Sequence, residues 1–138
     1  MQEGWEALEH TADVGIRAWG PTPASCFRQA AKGTIELTGV WAEGVATTRL
    51  ALDVGAPDVA ALMVDWLEEI LYLIDMNDVF VVDVEVEHAV TDSARGALAV
   101  RPRAGAPTDG THVKAATYHR LVVEERENGW VAEVYLDV

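Results

Sequence analysis

Hydrophobic positions along this chain switch between two periods, and the switches mark out its elements. Trp5 to Leu8 predicts a short first strand. Val14, Ile16 and Ala18 then alternate with Gly15, Arg17 and Trp19, the period of two expected of a half-buried strand. Gly20-Pro21 ends it. Thr22 before Pro23 combines an N-cap residue with proline at the first helical position. Phe27, Ala30, Ala31, Thr34 and Leu37 recur at helical spacing, so the pattern predicts a helix over 23–38, closed by Gly39. Alternation from Val45 to Val54, through Leu50 and Leu52, predicts another strand. Pro57-Asp58 opens the clearest helix, about 58–75. Its apolar stripe is Val59, Leu62, Met63, Trp66, Leu67, Ile70, Leu71 and Ile74, with Asp65, Glu68 and Glu69 opposite.

The second half of the chain is mainly of period two. Phe80, Val82, Val84 and Val86 alternate with Val81, Asp83, Glu85 and Glu87, predicting one long amphipathic strand. Leu98 and Val100 mark another, and the Pro/Gly-rich run 101–112 reads as a long loop. Residues 113–126 predict a long strand, Asn128-Gly129 a tight type I′ turn, and 130–137 the returning strand. In that last strand Trp130, Ala132, Val134 and Leu136 share one face, and Val131, Glu133, Tyr135 and Asp137 the other. Strands dominate, and the two principal helices are grouped rather than alternating with them. The expected fold class is α+β, a single domain over 1–138 with a mostly antiparallel or mixed sheet.

Composition narrows the function. A chain of 138 residues fits one domain. It contains no run near the ~18 apolar residues of a membrane span, and its first residues lack the charged-then-apolar order of a signal peptide. Its one cysteine, Cys26, cannot form an internal disulfide, which fits a reducing cytoplasm. The net charge is −13, from 10 basic and 23 acidic residues. Nucleic-acid binding depends on Lys and Arg neutralising phosphates, so this balance argues against direct RNA or DNA binding. It suits cation binding or docking on a basic protein groove.

No phosphate-binding glycine loop, nucleophile elbow or Cys-x-x-Cys pair occurs. Cys26, in a helical pattern beside Phe27, reads as a buried structural thiol, and most of the tryptophans as core. Three polar features remain. His10-Thr11-Ala12-Asp13 stands where a strand begins; it is either a turn bonded to its own backbone or a site at a strand end. Lys114-Ala-Ala-Thr117-Tyr118-His119 lies on a predicted strand, where period two groups Thr117 with His119 and Tyr118 with Lys114. Asp137-Val138 follows a well-patterned strand directly and sets a main-chain carboxylate beside a carboxylate side chain. If Asp13 came close to that end, the oxygens would suit Ca²⁺, Mg²⁺ or Mn²⁺ rather than Zn²⁺.

Four blocks in order carry a resemblance: HTADVGIRAWGPTPASCFRQAAKGTIELTG at 10–39, LMVDWLEEILYLID at 62–75, VKAATYH at 113–119 and GWVAEVYLDV at 129–138. Together they resemble the archease family. The resemblance implies a small acidic α+β protein without catalytic residues of its own. Such a protein activates an RtcB-type tRNA-splicing RNA ligase by promoting its guanylylation and turnover. It also implies a calcium-type divalent cation held by Asp13, Asp137 and the main chain of Val138, with His10 orienting a carboxylate. Lys114, Thr117 and His119 match the family pattern as supporting residues. The loop 92–112 matches no family pattern. The rival readings are a metal-dependent phosphoester hydrolase and an interaction or chaperone module with a purely structural metal.

Overall fold

The computed structural model describes residues 1–10 and 13–138, with the backbone alone for Glu9 and His10. Its elements follow the predicted order. They are β1 (Gly4–His10), β2 (Asp13–Gly20), α1 (Pro23–Thr38), β3 (Thr48–Gly55), α2 (Val59–Asn77), β4 (Val79–Ala89), β5 (Ser93–Pro102), β6 (Ala115–Ala116), β7 (Val122–Arg126) and β8 (Gly129–Asp137). All the strand pairs are antiparallel, and they form two sheets. One runs β1-β2-β8-β6, with β7 also on β8; the other runs β3-β5-β4. The fold is α+β, with the strands divided between two sheets where the pattern allowed one. No helix among the described residues is long and apolar enough to cross a membrane.

Both helices begin and end for the local reasons that the sequence supplies. Ser25 N–H donates to Thr22 Oγ1 at 3.1 Å while Thr22 N–H donates to Ser25 Oγ at 3.0 Å, a reciprocal cap on α1. Gly39 closes α1 in the left-handed region at φ 78°. Asp58 caps α2 by accepting from Ala61 N–H at 2.8 Å. The helices share a core with the inner faces of both sheets. At its centre Trp66 is fully buried, meets the Phe27 ring edge-on at 6.0 Å and donates Nε1–H to the Phe27 carbonyl at 3.1 Å.

Three strand predictions need correction. β4 buries Val79, Val81 and Val84, so its faces exchange midway. Val81 pairs with Val100 and Asp83 with Ala99, which leaves Val82 as an extra, bulged residue. One inserted residue moves the side chains after it to the opposite face, up to a second register shift between Val86 and His88. The strand expected over 113–126 is interrupted: β6 and β7 are separated by residues 117–121, with Arg120 at φ 53°. The hairpin turn sits one residue early, because Arg126 pairs with Gly129 and leaves Glu127-Asn128 as the loop. Gly129 has φ 149° and Asn128 is not left-handed, so the turn is not type I′. The loop after β5 also starts later, at 103, and is anchored: Arg103 pairs with Asp78 at 2.7 Å and Thr111 N–H reaches Leu37 O at 2.8 Å.

Cys26 is the buried thiol expected of it. It is 1% exposed, its nearest acceptor is the Ala18 carbonyl at 3.9 Å, and burial pushes it from 9.0 to about 12. Below about pH 9 both folded and unfolded chains keep this proton. As pH rises towards 12 the unfolded chain loses it first, so the contribution of Cys26 to stability is lost with rising pH. Urea unfolding of the wild type and of Cys26→Ala checks this. The stability difference between them should shift against the wild type by up to ~1.4 kcal/mol per pH unit above pH ~9.

Candidate functional site

The inner face of the first sheet is fixed by Ile16, Ala18, Ala132, Val134 and Leu136, all buried. Alternation therefore turns Asp13, Arg17 and Trp19 on β2, and Glu133, Tyr135 and Asp137 on β8, to the outer face. The register confirms which of these are neighbours. Arg17 is opposite Glu133 and forms an ion pair with it at 3.5 Å. Gly15 is opposite Tyr135, and a Cβ on Gly15 would stand 2.9 Å from the tyrosine ring. The last pair is Val14 with Leu136, so Asp13 and Asp137 are the next residue on each strand. Asp13 and Asp137 thus stand at the same end of the β2–β8 pair, on its outer face.

Like charges directly opposite on paired strands repel. The His119 imidazole stands beside them, its Nε2 3.9 Å from Asp13 Oδ2. Its ring meets Tyr135 edge-on at 6.0 Å, and its N–H donates to Thr117 Oγ1 at 3.3 Å. Thr117 in turn donates from both N–H and Oγ1 to the Tyr135 carbonyl, each at 3.0 Å. Lys114 N–H donates to the Asp137 carbonyl at 2.7 Å. The segment 114–119 therefore holds β8 at the end where the carboxylates meet. His119 and Thr117 do belong together, through this turn and not through a strand face.

Each predicted site residue can now be placed. Asp13, Asp137, Thr117 and His119 gather at one sheet end, and Lys114 contributes its backbone there. Val138 follows β8 directly and is 46% exposed. His10 is the backbone partner of Asp13 on β1; its side chain, like Thr11 and Ala12, lies outside the described residues. Among the described residues no three His, Cys, Asp or Glu side chains are grouped to hold a metal. A hard cation takes six to eight oxygens, including main-chain and water oxygens, and this end of the sheet offers the Asp13 and Asp137 carboxylates, with the His119 imidazole beside Asp13. The carboxylate oxygens are donors of the kind a calcium-type ion takes. The sequence places Tyr135 on the same strand face as Asp137 without assigning it to the site, although Gly15 inside a strand signals close approach of a neighbour. Glu68, which the sequence places on the polar side of α2, accepts the Ala116 N–H at 2.8 Å, a contact that no local signal announces.

Residues 5–138 match the model of the Archease protein family (MTH1598/TM1083). The chain is 31% identical to Protein archease of Methanopyrus kandleri, over 97% of this chain and 99% of that protein. It is 30% identical to Protein archease of Methanosarcina mazei, over 97% and 95%. Its fold is similar to the solution structure of Methanobacterium thermoautotrophicum protein 1598, with a TM-score of 0.72 at 25% identity, covering 98% of this chain and 99% of that one. It is also similar to the crystal structure of an archease, possible chaperone, from Thermotoga maritima, with a TM-score of 0.61 at 16% identity and 96% of each chain covered. The likeness to the Thermotoga protein is one of fold alone.

Proposed function

Because this chain belongs to the archease family, we propose that it is an activator protein for an RtcB-type tRNA-splicing RNA ligase. In this reading it is not itself an enzyme. It promotes guanylylation and multiple turnover of the ligase, in the cytoplasm, through the acidic end of its first sheet. The observation that carries the reading is the Val14–Leu136 pair, which puts Asp13 and Asp137 at the same end of β2 and β8. Charge supports it: the net charge is −13, and five of the ten basic residues, Arg17, Arg28, Arg49, Arg103 and Arg126, are ion-paired with carboxylates, which does not suit phosphate binding. An acidic tip is complementary to the basic, phosphate-binding cleft of a ligase, and long-range attraction would steer the encounter.

Asp13, Asp137 and the main-chain carboxylate of Val138 would hold a calcium-type cation. Such an ion would supply a positive centre between the carboxylates, with open positions for a partner's oxygen. The chain's own residues do the rest. Tyr135 and Gly15 pack the strands together, Thr117 and the Lys114 amide fix β8, and His119 stands beside the Asp13 carboxylate.

The test is multiple-turnover RNA ligation with the ligase of the same organism. Added protein is expected to stimulate both ligase guanylylation and turnover. A short extension past Val138 is expected to remove the stimulation, since it replaces the terminal carboxylate by an amide. No stimulation of a ligase known to be limited by guanylylation would overturn the reading.

A further inference from the structure

Glu68 lies on the polar side of α2, where the sequence gives it no task beyond solvation. In the fold its Oε1 accepts the backbone N–H of Ala116 at 2.8 Å. Ala116 is 7% exposed, and β6 is only two residues long, with β8 as its partner strand. A buried N–H that the sheet does not use needs an acceptor, and a charged carboxylate is a strong one. On either side of Ala116 the same segment is bonded to β8, through Lys114 N–H to Asp137 O at 2.7 Å and Thr117 N–H to Tyr135 O at 3.0 Å. A line of hydrogen bonds therefore runs from the body of α2 to the strand that carries Asp137.

We propose that Glu68 is a positioning residue for this end of the protein. It clamps residues 114–117 to α2, and through them sets Asp137 against Asp13. The role in cation binding rests on the reading above; the clamp itself does not. A two-residue strand has too few bonds of its own to stay in place, whereas α2 is anchored by Trp66 and its neighbours in the core. The clamp thus transfers the rigidity of the core to an exposed edge.

Amide hydrogen exchange and calcium titration of the whole chain, with calcium alone and no ligase, test the proposal. In Glu68→Ala the amides of Lys114, Ala116 and Thr117 are expected to lose protection. Calcium affinity is expected to fall by about 10-fold or more, the range for residues that orient ligands without touching the ion. Glu68→Gln keeps an acceptor oxygen and should retain most of both. A folded Glu68→Ala with unchanged protection would overturn the clamp. Lost protection with unchanged calcium affinity would overturn its role in setting the carboxylates. A wild type that binds no calcium would overturn the cation reading, and the exchange data would still decide the clamp.

Discussion

Asp13→Ala and Asp137→Ala are each expected to abolish stimulation of the ligase while leaving the fold intact. Both side chains lie on the outer face of the sheet, and Asp13 is 38% exposed, so neither substitution opens a cavity. Removing one of two opposed carboxylates relieves repulsion, and stability should change by no more than ~0.5 kcal/mol. Function should respond quite differently. Residues that only orient a metal's ligands cost 10–100-fold in affinity when lost, so loss of a direct ligand should cost at least ~100-fold. Asn in place of either aspartate keeps one oxygen but not the charge, and should fall between wild type and alanine. Ligation at multiple turnover, beside thermal melts of each variant, checks both halves. Full stimulation by both alanine variants would remove the site from the mechanism. A chelator that lowers the melting temperature, with stimulation surviving in either folded variant, would make the cation structural.

The parts of this fold that depend on neighbouring residues were legible in the sequence. Thr22-Pro23, Asp58 and Gly39 set helix boundaries that the structure reproduces to within two residues. Seven of the eight residues named for the α2 stripe are buried; Val59 is only partly so, and Val64, outside the stripe, is buried as well. What escaped were features decided between strands. The bulge at Val82 depends on the pairing of β4 with β5, and no residue type announces it. The break between β6 and β7 lies where the backbone turns locally: His119 N–H bonds the Thr117 hydroxyl at 3.3 Å, Leu121 N–H bonds the Tyr118 carbonyl at 3.3 Å, and Arg120 is at φ 53°. Residues 113–126 are good strand formers, so the pattern favours the straight alternative.

The candidate site was legible as residues and illegible as a place. Asp13 and Asp137 stood out because each lies at a strand end, but nothing short-range brings the two ends of the chain together. The register of β2 on β8 does that, and it follows from the inner faces. Ile16 and Ala18 must meet Val134 and Ala132 in the core, and a slip of β2 by one residue would turn its own row out to solvent. Burial on one face therefore fixes the meeting of charges on the other.

Trp66→Ala carries the largest expected cost in stability, about 3–5 kcal/mol, because it combines two losses. The ring is fully buried between the helices and leaves a cavity that its rigid neighbours cannot fill. Its removal also deprives the Phe27 carbonyl of the indole N–H at 3.1 Å and breaks the edge-on contact at 6.0 Å. Small proteins are stable by only about 5–15 kcal/mol, so this one change would take a large share. At the entropy of unfolding usual for a chain of this length, the melting temperature should fall by roughly 10–17 °C. Trp66→Phe retains most of the apolar volume without the donor, and should cost distinctly less. A fall of under about 3 °C for Trp66→Ala would mean that the helices are not joined through this ring. The anchor of α2 would then lie elsewhere, and the stiffness that Glu68 passes to β6 would need another source.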